Sequence, residues 1–219
     1  LIKDINEDFF EVNKWLQNQS ADVTYSGRGE TIFFEHQNLK CVLKHYYRGG
    51  LLGHFIRDRY LWTGIDGSRP IREFRRLKEL CEMDLPVAKP IGARAKKSGA
   101  SYTADLITIE IENSKTLSEL IAEDHVNKNV WEAVGKCLHL FSNKEIYHPD
   151  LNTNNIIIDD ELNVYLIDFD TSSRLHQKIS SKRSTLDRFH RSLKKTYKKR
   201  NKTFSEGDWN IILSQSPID

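Results

Sequence analysis

One polar segment near residue 150 constrains the fold of this 219-residue chain more than any other part of it. The segment contains His-Pro-Asp at 148–150 and extends to Asn155, and the apolar run 156–158 follows it directly. A second apolar run, 164–167, leads to Asp-Phe-Asp at 168–170. Short apolar runs bounded by turn residues predict strands. The sequence therefore places acidic and amide side chains just before one short strand and just after the next.

The spacing of these polar residues predicts an ATP-dependent phosphotransferase. In a kinase catalytic loop an aspartate accepts the proton of the substrate hydroxyl, and an asparagine five residues later holds a metal ion. Asp150 and Asn155 have this spacing. A second aspartate, after the following strands, holds the Mg²⁺ that bridges the nucleotide phosphates, and Asp168 has that place. Each aspartate alone would also fit an ordinary turn, so the prediction rests on their combination.

The amino-terminal half supplies the remaining parts of such a site in the expected order. Lys44 lies in a predicted strand and Glu73 on a predicted helix, like the kinase lysine that contacts the phosphates and the acid that pairs with it. Taken singly, Lys44 also fits a surface lysine with a buried stem, and Glu73 a solvated helix face. Gly27-Arg28-Gly29 matches a phosphate-binding loop, although Ile32 stands where a third glycine is expected.

Hydrophobic periodicity predicts a mixture of strands and helices. Strands are predicted within 23–34 (two, joined by a turn), at 41–47 and at 102–111, and helices at 69–83, from a capping box at 116–119, and through 130–141. The predicted fold class is α+β, a bilobal protein-kinase-like fold. We expect one kinase-like domain over 1–219, with a strand-rich lobe up to about residue 111 and a reduced helical lobe after it.

The carboxy-terminal region differs from the rest of the chain in charge. Residues 182–202 hold 10 of the 33 Lys and Arg and a single acid, Asp187, so the remainder is net acidic. Apolar residues recur there every three or four positions, which predicts a helix that docks by this stripe. Its basic side chains suit an anionic partner such as phosphorylated lipid, nucleic acid or a membrane face, or they form an ordinary solvated helix face.

Composition excludes several other classes. The three cysteines, Cys41, Cys81 and Cys137, are odd in number and widely spaced, which favours neither a disulfide framework nor a zinc site and fits a reducing cytosol. We expect no membrane-spanning segment and no export signal, because no apolar run approaches the required length.

The chain resembles the 3-deoxy-D-manno-octulosonic acid (Kdo) kinases of lipopolysaccharide inner-core synthesis, relatives of the core heptose kinases. The resemblance covers most of the chain and is most specific at 43–51, because ordinary protein kinases have nothing like His-Tyr-Tyr-Arg-Gly-Gly after their strand lysine. Further resemblance lies in the segments 27–29, 58–60, 90–94, 109–113, 148–157 and 166–170.

The resemblance implies transfer of the γ-phosphate of ATP to a hydroxyl, at carbon four, of Kdo attached to lipid A, with Mg²⁺ present. It implies Kdo-lipid A and an anionic membrane surface as partners, no nucleic acid, and peripheral location at the cytoplasmic face of a Gram-negative inner membrane. It also adds Glu112 to the nucleotide-binding residues. Arg48, in the most specific segment, is the candidate contact to the acidic sugar, although a solvated arginine fits as well.

Two departures from protein kinases bear on the acceptor. Pro149 stands where many protein kinases have an arginine that reads a phosphorylated activation loop, so no such switch is expected. Only about fifty residues follow Asp170, without Ala-Pro-Glu, which favours a small or lipid-linked acceptor over a protein. A kinase of heptose, of another small molecule or of protein remains an alternative. A binding module without catalysis is a third, which the joint presence of Lys44, Asp150, Asn155 and Asp168 disfavours.

Overall fold

The structure is a computed structural model that describes residues 6–11, 15, 21–26, 29–47, 58–170 and 181–215. Its strands are β1 (Ala21–Ser26), β2 (Gly29–His36), β3 (Leu39–His45), β4 (Tyr60–Leu61), β5 (Pro90–Ser98), β6 (Ser101–Ile109), β7 (Ser114–Thr116), β8 (Ile156–Asp159) and β9 (Val164–Leu166). Its α-helices are α1 (Arg69–Glu82), α2 (Leu117–Ala122), α3 (Lys128–Asn143), α4 (Lys182–Lys198) and α5 (Glu206–Gln215), and a 3₁₀ helix spans Glu7–Phe10. The predicted α+β class is confirmed.

The chain divides into two compact units. Unit 1 comprises Leu1–Glu79 and Ala88–Glu110, and unit 2 comprises Leu80–Val87 and Ile111–Asp219. Unit 1 contains an antiparallel sheet in the order β1-β2-β3-β6-β4, in which β5 also pairs with β6. Unit 2 contains a three-stranded antiparallel sheet in the order β7-β8-β9 and the helices α2 to α5.

The core of unit 1 determines on which face of β3 the side chain of Lys44 lies. Ile32, Leu43 and Ile107 lie on the neighbouring strands β2, β3 and β6, and each is fully buried. Side chains alternate across a strand, so Lys44 points to the opposite face of β3 from Leu43. Aromatic residues of the amino-terminal segment, Phe9 and Trp15 among them, cover the core face.

The core of unit 2 forms around α3, which brings the chain to the predicted catalytic loop. Asn127 caps this helix, its side-chain oxygen accepting hydrogen bonds from the backbone nitrogens of Asn129 and Val130 at 2.9 and 3.3 Å. The buried stripe of α3 includes the apolar residues on which its prediction rested, Val130, Val134, Leu138 and Phe141. The helix ends at Asn143, shortly before the loop begins.

The predicted capping box is confirmed at the start of α2. Thr116 Oγ1 accepts from the backbone nitrogen of Glu119 at 3.2 Å, and Glu119 Oε2 accepts from the backbone nitrogen of Thr116 at 2.8 Å. Such a motif can be read from sequence because both partners lie within one turn.

Several elements were not predicted from sequence, and β5 and α5 are the longest of them. β5 contains Pro90, Gly92 and two lysines, residues of low strand propensity, and it forms through backbone pairing with β6 along its whole length. Gly99, in the turn between the two strands, has φ +61°, a conformation that glycine adopts at little cost. α5 lacks a strong apolar stripe and packs against α3 at Gly135, where a Cβ atom would lie 2.6 Å from the carbonyl oxygen of Ile212.

Candidate active site

His148 anchors the loop that precedes β8. Its ring is buried, and its Nε2 lies 2.8 Å from the carbonyl oxygen of Ile167. Its Nδ1 accepts a hydrogen bond of 3.1 Å from the backbone nitrogen of Asp150. Both contacts require the same neutral tautomer, with the proton on Nε2. Burial lowers the pKa of His148 to about 4, so the ring is neutral near pH 7.

Asp150 combines an exposed side chain with a fixed backbone. Its carbonyl oxygen accepts hydrogen bonds from Nδ2 of Asn152 and Nδ2 of Asn155, each of 2.9 Å. The backbone nitrogen of Asn155 donates to the carbonyl oxygen of Asn152 at 3.1 Å, which closes the turn. The carboxylate is exposed, whereas the neighbouring Pro149 is buried. A carboxylate held in this way has the accessibility that a general base needs.

Asp168 follows β9. The residue before it, Ile167, is hydrogen-bonded to the loop that carries Asp150. The backbone nitrogen of Ile167 donates to the carbonyl oxygen of Asn155 at 3.1 Å. Asp168 has φ 66°, in the left-handed region that non-glycine residues seldom adopt. The next residue, Phe169, is buried with its ring 5.7 Å from Phe141 and 4.4 Å from His148. This packing holds the backbone in a conformation of the kind that clusters at functional sites.

The donor atoms of this segment fit Mg²⁺. Asn155 uses its Nδ2 for Asp150, so its Oδ1 is the end of the amide that would hold a metal ion. The carboxylate of Asp168 supplies a second hard oxygen, and Mg²⁺ in phosphotransferases takes one or two carboxylates with phosphate oxygens and water. No three His, Cys, Asp or Glu side chains cluster as a metal site among the described residues, and such a Mg²⁺ site requires no cluster of this kind.

In unit 1 the structure brings together Lys44 and Glu73, which the sequence had paired. Lys44 Nζ lies 3.5 Å from Glu73 Oε1. Tyr46, which sequence reasoning had given no role, donates from its hydroxyl to Glu73 Oε2 at 2.5 Å. Its ring also lies under Lys44, with Nζ 4.6 Å from the centroid. Tyr46 and Glu73 are each 2% exposed, so this contact is shielded from water. The one available signal was the spacing of two residues from Lys44, which favours the same face of an extended chain.

The structure describes only two of the remaining predicted site residues, Gly29 and Glu112. Gly29 is the first residue of β2, while Gly27, Arg28 and Arg48 lie outside the described residues. Glu112 is exposed in the segment between β6 and β7.

An α+β fold with these two groups of residues has the features of a phosphotransferase that acts on a hydroxyl group. Comparison with known proteins specifies the class further. Residues 13–215 match the lipopolysaccharide kinase (Kdo/WaaP) family, and the chain belongs to this family. The expected family and enzyme class are thereby confirmed.

Individual relatives support the same assignment. A protein of Vibrio parahaemolyticus named 3-deoxy-D-manno-octulosonic acid kinase is 34% identical over 97% of this chain and 89% of its own length. A protein of the same name from Mannheimia succiniciproducens is 36% identical over 95% of this chain and 89% of its own. A third, from Haemophilus influenzae, is 34% identical over 92% and 87%.

Proposed function

We propose that this chain transfers the γ-phosphate of ATP to a hydroxyl of Kdo. The proposal draws on the relatives named for that activity and on one structural observation, the exposed Asp150 carboxylate on a loop whose backbone is hydrogen-bonded on both sides of that residue. Phosphoryl transfer depends mainly on positioning and electrostatic stabilisation, so an accessible carboxylate on a fixed backbone is a group that the reaction needs.

The proposed roles follow from the chemistry of each side chain. Asp150 accepts the proton of the acceptor hydroxyl, and its exposure lets the acceptor reach it. Asn155 and Asp168 hold Mg²⁺, which when bound neutralises charge on the nucleotide phosphates. Lys44 contacts phosphate oxygens, and Glu73, itself held by Tyr46, orients the lysine.

For the acceptor, we propose Kdo already attached to lipid A, phosphorylated at carbon four. The family resemblance is the ground for both details. Kdo carries a carboxylate and lipid A carries phosphates, so cationic side chains suit this acceptor, and Arg48 remains the candidate contact to the sugar acid.

We further propose that the protein works at the cytoplasmic face of the inner membrane as a peripheral protein. The exposed basic residues of α4 and its carboxy-terminal end support this proposal, among them Lys195, Lys198 and Lys199. Each basic residue near an anionic surface contributes about 1 kcal/mol to membrane attraction. None of the helices among the described residues combines the length and apolar character of a membrane span.

The direct test is incubation of the purified protein with labelled ATP, Mg²⁺ and separate acceptors: Kdo-lipid A, heptosylated lipid A precursors and a generic protein substrate. We expect label on Kdo-lipid A, and phosphorus–proton correlation NMR of the product should place the phosphate on carbon four. Asp150→Asn protein serves as the control for contaminating kinases. Label on heptose or protein but not on Kdo would overturn the proposal.

A further inference from the structure

One face of α4 lies against the loop that carries Asp150. Arg188, Ser192 and Thr196 follow one another at intervals of four residues, so they share a face of the helix. The backbone nitrogen of Thr153 donates to Ser192 Oγ at 3.2 Å, and Thr153 Oγ1 lies 2.9 Å from Thr196 Oγ1. Arg188 donates from its guanidinium to the carbonyl oxygen of Pro149.

The apolar face of α4 is buried, so the residues of this helix that contact the loop have fixed positions. Leu186, Phe189 and Leu193 of α4 are buried, and Ser181 caps its first turn by accepting from the backbone nitrogen of Ser184 at 3.2 Å. A buried leucine or phenylalanine contributes about 1.5 to 3 kcal/mol, so the helix does not readily leave its place.

The Arg188 contact matters because of the peptide group on which it acts. The carbonyl of Pro149 and the N–H of Asp150 belong to one planar peptide unit. Arg188 holds the carbonyl end, and His148 Nδ1 holds the N–H end at 3.1 Å. The peptide unit on the other side of Asp150 is held through its carbonyl by Asn152 and Asn155. With both peptide units fixed, the backbone dihedral angles of Asp150 are fixed, and with them the direction of its Cα–Cβ bond.

We infer that Arg188 is a positioning residue for Asp150, acting from α4 through the Pro149 carbonyl. The contacts from His148, Asn152 and Asn155 arise within the loop, whereas Arg188 ties the loop to a separate helix whose apolar face is buried. The charge of Arg188 acts in the same direction as burial in keeping the ring of His148 neutral, which preserves Nδ1 as an acceptor for the N–H of Asp150. The inference rests on the proposed role of Asp150 as the base.

The test measures kcat and the KM for ATP in Arg188→Met, Arg188→Lys and the matched control Arg191→Met, all with Kdo-lipid A as acceptor. Arg191 is an exposed arginine of the same helix, so its variant should behave as wild type. Arg188→Met should lower kcat by about tenfold or more with the KM for ATP within about twofold, because nucleotide binding does not depend on the direction of Asp150. Arg188→Lys, which keeps a charge and a donor without the planar fork, should lie in between.

A double variant separates positioning from a general structural effect. If Arg188 acts through Asp150, adding Arg188→Met to Asp150→Asn should change the residual turnover by less than about twofold. The full tenfold loss in that background, or a rise in the KM for ATP as large as the fall in kcat, would overturn the inference. If Arg188→Met does not fold, an unchanged kcat in Arg188→Lys would by itself overturn the inference. Full activity of Asp150→Asn would instead refute the proposed function.

Discussion

The hydroxyl of Tyr46 donates a hydrogen bond of 2.5 Å to Oε2 of Glu73, and both side chains are almost completely buried. Glu73 therefore does not depend on Lys44 alone for its orientation. Lys44 Nζ lies 3.5 Å from Oε1, the other oxygen of the same carboxylate. The hydrogen bond from Tyr46 therefore fixes the orientation of the carboxylate that pairs with Lys44. A buried carboxylate with a hydrogen-bond donor is held far more firmly than one with only a surface ion pair.

Tyr46→Phe should weaken ATP binding more than it slows the chemical step. The change removes one hydrogen bond to a carboxylate, a loss of about 1 to 3 kcal/mol in orientation and stability. We expect the KM for ATP to rise at least about threefold with kcat less affected, measured in steady-state assays at saturating acceptor. Tyr197→Phe, a partly buried tyrosine of α4, is the matched control and should leave both constants unchanged. An unchanged KM for ATP in Tyr46→Phe would show that Tyr46 does not support the lysine.

Asp150→Asn should lose on the order of 10² to 10⁴ in turnover, because the amide cannot accept the proton of the acceptor hydroxyl. Nucleotide affinity should stay close to wild type, since the loop backbone contacts of residue 150 do not involve the side chain. Isothermal titration with ATP and single-turnover assays measure the two quantities. Asp160→Asn removes an equivalent charge from an exposed turn and serves as the control. A parallel loss of nucleotide affinity in Asp150→Asn would assign Asp150 to binding.

Asp168→Asn should abolish the Mg²⁺ dependence of nucleotide binding, because it removes the carboxylate proposed to hold the ion. Asparagine is preferable to alanine here, since Asp168 has φ 66° and asparagine tolerates this region better. The measurement is nucleotide affinity with and without Mg²⁺, in wild type, in Asp168→Asn and in Asp160→Asn. Unchanged Mg²⁺ dependence in Asp168→Asn would contradict the assignment.

Most of the candidate site could be predicted from sequence because its residues are recognised by local spacing, whereas Lys44 and Glu73, 29 residues apart, were paired only by their order in the chain. Asp150, Asn155 and Asp168 belong to a short continuous motif, and the capping box of Thr116 and Glu119 lies within one helical turn. The α+β class followed from strand and helix periodicity in the same way.

The residues that sequence reasoning missed act across long separations in the chain. Tyr46 meets Glu73 at a separation of 27 residues, and Arg188 meets Pro149 at 39. Neither contact has a local pattern, because tertiary packing of a helix against a strand or loop creates it. The strand β5 was missed for the related reason that pairing with β6 overrides its weak strand propensity.

His148 should make the folded protein less stable in mild acid. Its pKa is about 4 in the folded state, against 6.5 for an ordinary histidine. Between these values the unfolded chain binds the additional proton, so the free energy of unfolding falls as the pH drops from 6.5 toward 4. From pH 7.5 to pH 5 this histidine alone should account for a loss of about 2 kcal/mol.

Urea denaturation at pH 7.5 and pH 5 measures this contribution. His148→Gln lacks the titrating ring, so its stability difference from wild type should shrink by about 2 kcal/mol at the lower pH. His125→Gln replaces a histidine whose side chain is 65% exposed and should show no comparable narrowing. Equal pH dependence in wild type and His148→Gln would contradict the buried neutral histidine.

The carboxy-terminal part of α4 presents lysines in two different situations. Lys194 Nζ lies 2.8 Å from Glu206 Oε1, so part of its charge is balanced within the protein. Lys195, Lys198 and Lys199 are exposed at the end of the helix or just beyond it. The latter three are therefore the better candidates for contact with an anionic membrane.

Lys195→Gln, Lys198→Gln and Lys199→Gln together should weaken binding to vesicles of phosphatidylglycerol and phosphatidylethanolamine by on the order of 100-fold, since each lysine contributes about 1 kcal/mol. Co-sedimentation over a salt series measures vesicle binding. Added salt should weaken binding of the wild-type protein, because it shortens the Debye length from about 8 Å and screens the exposed charges. Replacing Lys128, Lys136 and Lys144, exposed lysines in and next to α3, removes the same charge elsewhere in unit 2 and should have little effect. Turnover on a water-soluble Kdo acceptor should be unchanged in both triple variants, because no substituted lysine belongs to the proposed site. Vesicle binding insensitive to salt and to the α4 substitutions would identify these lysines as an ordinary solvated face.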